Sequence, residues 1–337
     1  MATVYDVDFE ETQLIPRGVE IHKHTNLRVG IAAGAHAYFG SDIPSDPAQS
    51  REFYLSIVRE ALAGRAERDI DDSLFLSTDP NFVKALQRAY RRMGDARVSK
   101  SEFKVFAWQN LFIGQHVVLM DDTKRQLCAV RLVEVSLKPG ESDDRRLWFA
   151  PPLLSNQPPS KPFGFDIYTD SQFWLSGKIL NTDYPRFVSQ VVHCKPWGTF
   201  CPYFSIEFKA TTEDRRIVDN QVAAAGLISL FNRYQLKLDA YLQPALEQFN
   251  VVRHYGLTME KELWAVWLFE PKIVDGAWAG CTIRTLATGS CLTQGGVVGL
   301  LEWINEIHRW GLCEYALGCE EDIKQILSRG SPTSECP

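Results

Sequence analysis

One stretch of the chain puts an acid and a base inside an otherwise apolar run: Cys201-Pro202-Tyr203-Phe204-Ser205-Ile206-Glu207-Phe208-Lys209-Ala210. Read as a strand, it sends Glu207 and Lys209 to one face and Ile206 and Phe208 to the other, because side chains alternate with a period of two. A charge taken out of water is costly unless it is paired or holds a metal. The pair therefore reads in two ways, as a salt bridge at a strand end or as part of a functional site. A long helix follows, from Arg215 to about Leu242, with Ile217, Ala224, Leu227, Ile228, Phe231 and Tyr234 spaced for one face.

The rest of the chain supplies an α/β framework. Helices are predicted from Ser50 to about Ala66 and from Asp79-Pro80, a cap-and-first-turn pair, through Tyr90. Strands are predicted over Phe103–Leu119, Gln126–Leu137, Phe163–Tyr168 and Tyr203–Ala210. Val251–Phe269 reads as a hairpin turning through Glu260-Lys261, and Cys281–Ala287 as one more strand. A closing helix starts after Gly295-Gly296, with Leu300, Trp303, Ile304 and Ile307 as its apolar stripe. Five prolines between 151 and 162 mark a joint. This divides the chain into an N-terminal helical/β extension (1–150) packed on a core (151–329), with a disordered tail (330–337).

Composition narrows the function classes. The 337 residues are 45% hydrophobic and 23% charged, an ordinary globular balance that argues against disorder or a fibre. With a net charge of −6, any nucleic-acid contact must come from a local basic patch. No apolar run approaches the ~18 residues of a membrane span, and the N-terminus lacks the pattern of a secretory signal. The eight cysteines form no CxxC pair and read as reduced thiols, so a cytoplasmic or nuclear setting is expected. His193-Cys194 with Cys201 lacks a second ligand pair for zinc and is read as core or loop.

An upstream acid extends the Glu207 constellation. Phe163-Gly164-Phe165-Asp166-Ile167-Tyr168-Thr169-Asp170 places Asp166 within a short predicted strand. A hard cation such as Mg²⁺ or Mn²⁺ binds through one or two carboxylates plus waters and phosphate oxygens. Asp166 and Glu207 suit that pair, with the Phe208 carbonyl as a third oxygen ligand. Lys209 would then stabilise developing phosphorane charge or orient the attacking water. Asp170 is the alternative to Asp166, since sequence does not reveal the strand register. Gln221, early on the following helix, is a candidate for holding the water or a phosphate, and equally reads as a solvated polar residue.

Together these motifs bring the segment from about Lys161 to Leu327 to a known pattern: it resembles the uncharacterised fungal proteins of the PD-(D/E)XK nuclease-like group. The resemblance rests on the Asp166 strand, Ile206-Glu207-Phe208-Lys209, Asn220-Gln221, Tyr255-Gly256-Leu257, and Leu301-Glu302-Trp303-Ile304 to Trp310-Gly311. It covers roughly half the chain, and the order of these short motifs is more specific than any one of them. It implies a restriction-endonuclease-like core, a central mixed β-sheet flanked by helices. It also implies Mg²⁺-dependent phosphodiester hydrolysis, with Asp166, Glu207 and Lys209 in the catalytic positions and Gln221 matching a glutamine found on the helix after the motif. Phe165 stands where many members have a proline, and Glu60 and Glu102 are candidates for the glutamate that many carry on the first helix.

A basic run completes the picture. Lys84, Arg88, Arg91 and Arg92 fall on one helical face, and Arg97, Lys100 and Lys104 follow. The stripe reads as a phosphate-tracking surface or as a solvated helix face. Two other function classes remain beside the nuclease: a repurposed pocket that binds or transforms a small molecule, and a non-catalytic interaction module.

Overall fold

In a computed structural model of the chain, the strand Leu263–Val274 shows the plan of the molecule by alternation alone. Trp264, Val266 and Leu268 enter one hydrophobic cluster, while Ala265, Trp267 and Phe269 enter a second. A sheet with apolar side chains on both faces must be covered on both. The residues described are 1–22, 34–41, 47–63, 72–112, 128–140, 147–156, 159–180, 187–195, 198–209, 215–241 and 245–330.

In chain order the elements are β1 (Val19–His22), α1 (Ala35–Phe39), α2 (Pro47–Ala61), α3 (Pro80–Asp95), α4 (Lys100–Asn110), β2 (Ala129–Ser136) and β3 (Tyr168–Ser176). Then come α5 (Val188–Val191), β4 (Cys194–Lys195), β5 (Thr199–Lys209), α6 (Arg215–Ala240), β6 (His254–Glu260), β7 (Leu263–Val274), β8 (Ala277–Ser290), α7 (Gln294–Trp310) and α8 (Ala316–Gly330). The eight strands form one mixed sheet in the order β1-β8-β7-β6-β5-β3-β2, with β4 paired to the start of β5. β2, β3 and β5 are successive antiparallel neighbours. β6 lies parallel to β5, joined to it through α6, and β7 and β8 continue antiparallel. The first 150 residues contribute β1, parallel to β8 at one edge, and β2 at the other.

One face of the sheet is covered by α6 and the N-terminal segment, the other by α2, α3, α4 and α7. Helix α6 approaches closely because Gly226 has no side chain: a Cβ there would lie 2.4 Å from the Phe269 ring. The N-terminal segment is fastened to α6 by the Asn220 amide, which donates to the Val4 carbonyl at 3.1 Å. Among the described residues no helix is long and apolar enough to cross a membrane.

Several sequence readings meet the structure directly. The Asp79 side chain caps α3, accepting from the N–H groups of Asn81 and Phe82, with Pro80 in the first turn. The β5, α6, β6–β7 and β8 readings match within a few residues. Two need correction. Phe103–Leu119 was expected as a strand, but its first part lies in helix α4, and 113–119 fall outside the described residues. Its aromatic and β-branched content suggested a strand, yet the reciprocal Ser99–Glu102 capping box starts a helix there. The Asp166 segment was expected as a strand over Phe163–Tyr168, but β3 begins only at Tyr168, and Phe165 takes a left-handed φ of 54° that breaks the extended run. Residues 331–337 of the expected tail also fall outside the described residues.

Two buried ion-pair systems tie the helices together. Asp322 of α8 accepts from Arg233 and Lys237 of α6, each at 2.6 Å, and all three are buried. Glu306 of α7 accepts from Arg309 at 2.7 Å and from Ser41 and Tyr54, and pairs with His36 of α1 at 3.2 Å. Hydrogen bonds to Glu302 and Glu306 raise His36 to about 9, so it is charged at neutral pH.

Asp322→Ala should lose about 3–5 kcal/mol in denaturant unfolding, because it leaves two buried cations without their shared anion. A loss under ~1 kcal/mol would show that the cations find other partners. The His36 clamp is fully present below the ordinary histidine value of 6.5 and is lost as pH rises through about 9. His36→Gln should therefore melt below the wild type at pH 7, by roughly 1–3 kcal/mol, and the gap should close by about pH 10.

Candidate active site

The β3–β5 ladder ends at the pair Ser171↔Ile206, whereas the β5–β6 ladder continues to Lys209↔Glu260. Past Ile206, β5 is thus without its β3 neighbour, and the backbone N–H of Phe208 needs another acceptor. Asp170 supplies it: its Oδ2 accepts from that N–H at 2.9 Å. The carboxylate also receives Lys104 Nζ on Oδ1 at 2.9 Å and Lys100 Nζ near Oδ2 at 3.1 Å. Both lysines come from α4, i and i+4 on one helical face.

Glu207 is 2% exposed and lies beside the Asp170 carboxyl. Burial, and after it the neighbouring Asp170 charge, push its carboxyl well above the ordinary range, against an opposing pull from Lys100. For Asp170 burial also works upward, but Lys100, the Phe208 N–H and Lys104 together outweigh it and hold its carboxyl below the usual value. The two are therefore pushed in opposite directions, Glu207 toward the protonated acid and Asp170 toward the carboxylate.

A polar chain on the α6 face leads up to Glu207. Gln172 donates to Ser205 at 2.8 Å and to Ser229 of α6 at 3.0 Å. Ser205 meets His254 Nε2 at 2.8 Å, while His254 Nδ1 lies 3.2 Å from the Pro202 carbonyl. Burial lowers His254 to about 3, so this imidazole is neutral and structural. Beside Asp170, Trp108 of α4 donates to Ser171 at 2.7 Å and carries Lys104 Nζ 4.8 Å and the Arg131 guanidinium 5.3 Å from its ring.

The structure brings Asp170, rather than Asp166, to Glu207. Asp166 lies ahead of β3 with its side chain 53% exposed, 3.5 Å from Lys138. Lys209 shares the α6 face with Glu207, stands beside Glu260 in the β5–β6 register, and has its Nζ 5.9 Å from the ring centroid of Tyr5. Gln221 is half-buried on α6, and its Oε1 has no partner among the described residues. Glu102 is used in the α4 capping box, and Glu60 is exposed on α2. Lys84, Arg88, Arg91 and Arg92 are all exposed along α3, whose end at Asp95 precedes Lys100. Lys100 and Lys104 were visible in the sequence only as part of the basic run; their capped i, i+4 placement is the signal that joins them to the acids.

The donor set suits a hard cation. Two carboxylates from adjacent strands are oxygen ligands of the kind Mg²⁺ prefers. A buried acid pair biased toward holding a proton is also a place where a divalent ion can take over the proton's balancing charge. Among the described residues there is no group of three His, Cys, Asp or Glu side chains placed to hold a metal, so waters and substrate oxygens would complete the shell. No family model, curated protein or solved structure matches the chain.

Glu207 should lower stability in metal-free buffer as pH rises above the ordinary glutamate value, since the unfolded chain releases a proton that the fold retains. Glu207→Gln mimics the protonated acid and should raise stability at pH 8 by roughly 1–3 kcal/mol, with the gain fading near pH 4. A destabilised Glu207→Gln at pH 8 would mean that Glu207 is ionised and needed as an anion.

Proposed function

We propose that the chain is a PD-(D/E)XK nuclease-like protein that hydrolyses phosphodiesters of nucleic acid with Mg²⁺ or Mn²⁺. The observation that carries this reading is the contact between Asp170 and Glu207, which sit on adjacent strands at the end of the sheet where β3 and β5 part. The order of elements supports it: three antiparallel strands, a long helix, then a strand parallel to the third. The site lies at the carboxyl end of the parallel β5–β6 pair, where open α/β sheets bind ligands.

On this reading Asp170 and Glu207 hold the cation, which, when bound, supplies Lewis-acid stabilisation of charge on the phosphoryl oxygens. Lys209 gives a fixed positive charge on the same strand face as Glu207. Gln221, with an open acceptor oxygen, can orient a water through its proton. The exposed cations of α3 offer phosphate contacts to a longer substrate. A second reading, a closed pocket for a small anionic molecule, is favoured by the low exposure of both acids, 9% for Asp170 and 2% for Glu207.

The test is cleavage of single- and double-stranded DNA and RNA in Mg²⁺ or Mn²⁺. Asp170→Asn and Glu207→Ala should each reduce cutting by at least ~100-fold, with Asp166→Asn within a few-fold of wild type. Folded wild type that cuts none of the four substrates would sink the nuclease reading and favour the small-molecule pocket.

A further inference from the structure

We propose that Lys100 and Lys104 are positioning residues: counter-ions that stand in for the metal on Asp170 and pass to the substrate phosphate when the metal arrives. The inference rests on the metal-assisted reading above and deepens it. One carboxylate needs one cation, yet Asp170 has two ammonium groups, at 2.9 Å and 3.1 Å. With the Phe208 N–H at 2.9 Å, both carboxylate oxygens are occupied. A cation that takes Asp170 as a ligand meets two ammonium charges about 3 Å away on the same carboxylate, and that repulsion favours the release of a lysine.

The arrangement is built rather than incidental. The Ser99–Glu102 capping box sets where α4 starts, and the i, i+4 spacing brings both ammonium groups to the same carboxylate. Trp108, one turn beyond Lys104, is anchored to Ser171, the neighbour of Asp170, and steers Lys104 by its ring. Lys104 has a second anion within reach, Glu134 at 2.8 Å, whose side chain is 67% exposed and only weakly holds it. Lys100 is 37% exposed at its side chain, so its stem has room to turn.

Charge decides where the lysines go. A divalent ion on two ionised carboxylates would be neutral as a unit, which leaves Lys104 with the exposed Glu134 and Lys100 without its anion, a surplus of one positive charge on α4. The nearest anion that arrives with such a cation is the phosphodiester it ligates, and a lysine ammonium offers three rotatable donors to its oxygens. The same side chains thus keep the acid pair balanced before binding and neutralise the phosphate after it. A phosphodiester, with a single negative charge, is the substrate class that this surplus fits.

The experiment measures Mn²⁺ affinity by calorimetry for wild type, Lys100→Met, Lys104→Met and Asp170→Asn, with thermal melts to verify folding. Oligonucleotide KM and kcat are then taken for the lysine variants. The expected result is Mn²⁺ binding roughly two- to fivefold tighter in each lysine variant, because nothing has to be displaced, and weaker in Asp170→Asn. KM should rise several-fold more than kcat falls. Mn²⁺ affinity that is unchanged or lower in both lysine variants, while wild type binds and Asp170→Asn does not, overturns the exchange and leaves the nuclease reading standing. No Mn²⁺ uptake by wild type or by either lysine variant removes both.

Discussion

The Asp170 carboxylate is the point on which the site depends. It replaces a missing strand neighbour by accepting the Phe208 N–H, draws α4 onto the sheet through Lys100 and Lys104, and sets the charge that Glu207 feels. Each role follows from the same event, the end of the β3–β5 ladder at Ser171↔Ile206. Strand ends usually solve their open backbone groups with water or a cap. Here the cap is an ionised side chain, and the cost of burying it is met by two cations from the opposite layer.

The acid pair illustrates how a fold keeps a functional group at some expense to itself. Glu207 sits among groups that disfavour its charge, above a neutral hydrogen-bonded chain of Gln172, Ser205, Ser229 and His254. Elsewhere two buried acids are paired with cations. Asp322 accepts from both Arg233 and Lys237, and Glu306 is held by Arg309, His36, Ser41 and Tyr54. Glu207 differs from these two in that its neighbour is another acid, and incomplete compensation of a buried acid is a common mark of a functional site.

Much of the framework was legible from periodicity and caps. β5, α6 and the β6–β7 hairpin have uninterrupted apolar patterns of the right length, and Asp79-Pro80 and the turn at Glu260-Lys261 mark their own boundaries. The misreadings fall where two local signals compete. Aromatic content over Phe103–Leu119 resembles a strand, but Ser99 and Glu102 close a capping box and commit its first part, through Asn110, to a helix. Asp166 has the better sequence context for a motif position, but the left-handed Phe165 keeps it off the strand, and Asp170 meets Glu207 instead.

The sequence by itself determined that Glu207 and Lys209 share a strand face, that a long helix follows, and that basic residues gather between Lys84 and Lys104. Those are properties of spacing along one element. Tertiary structure alone decided which acid meets Glu207, because a strand's register is set by packing across the sheet and not by its own residues. It also decided that Lys100 and Lys104 reach Asp170. They are separated from it by some seventy positions of chain, and only the layer of α4 against β3 and β5 turns a solvated basic run into half of a site.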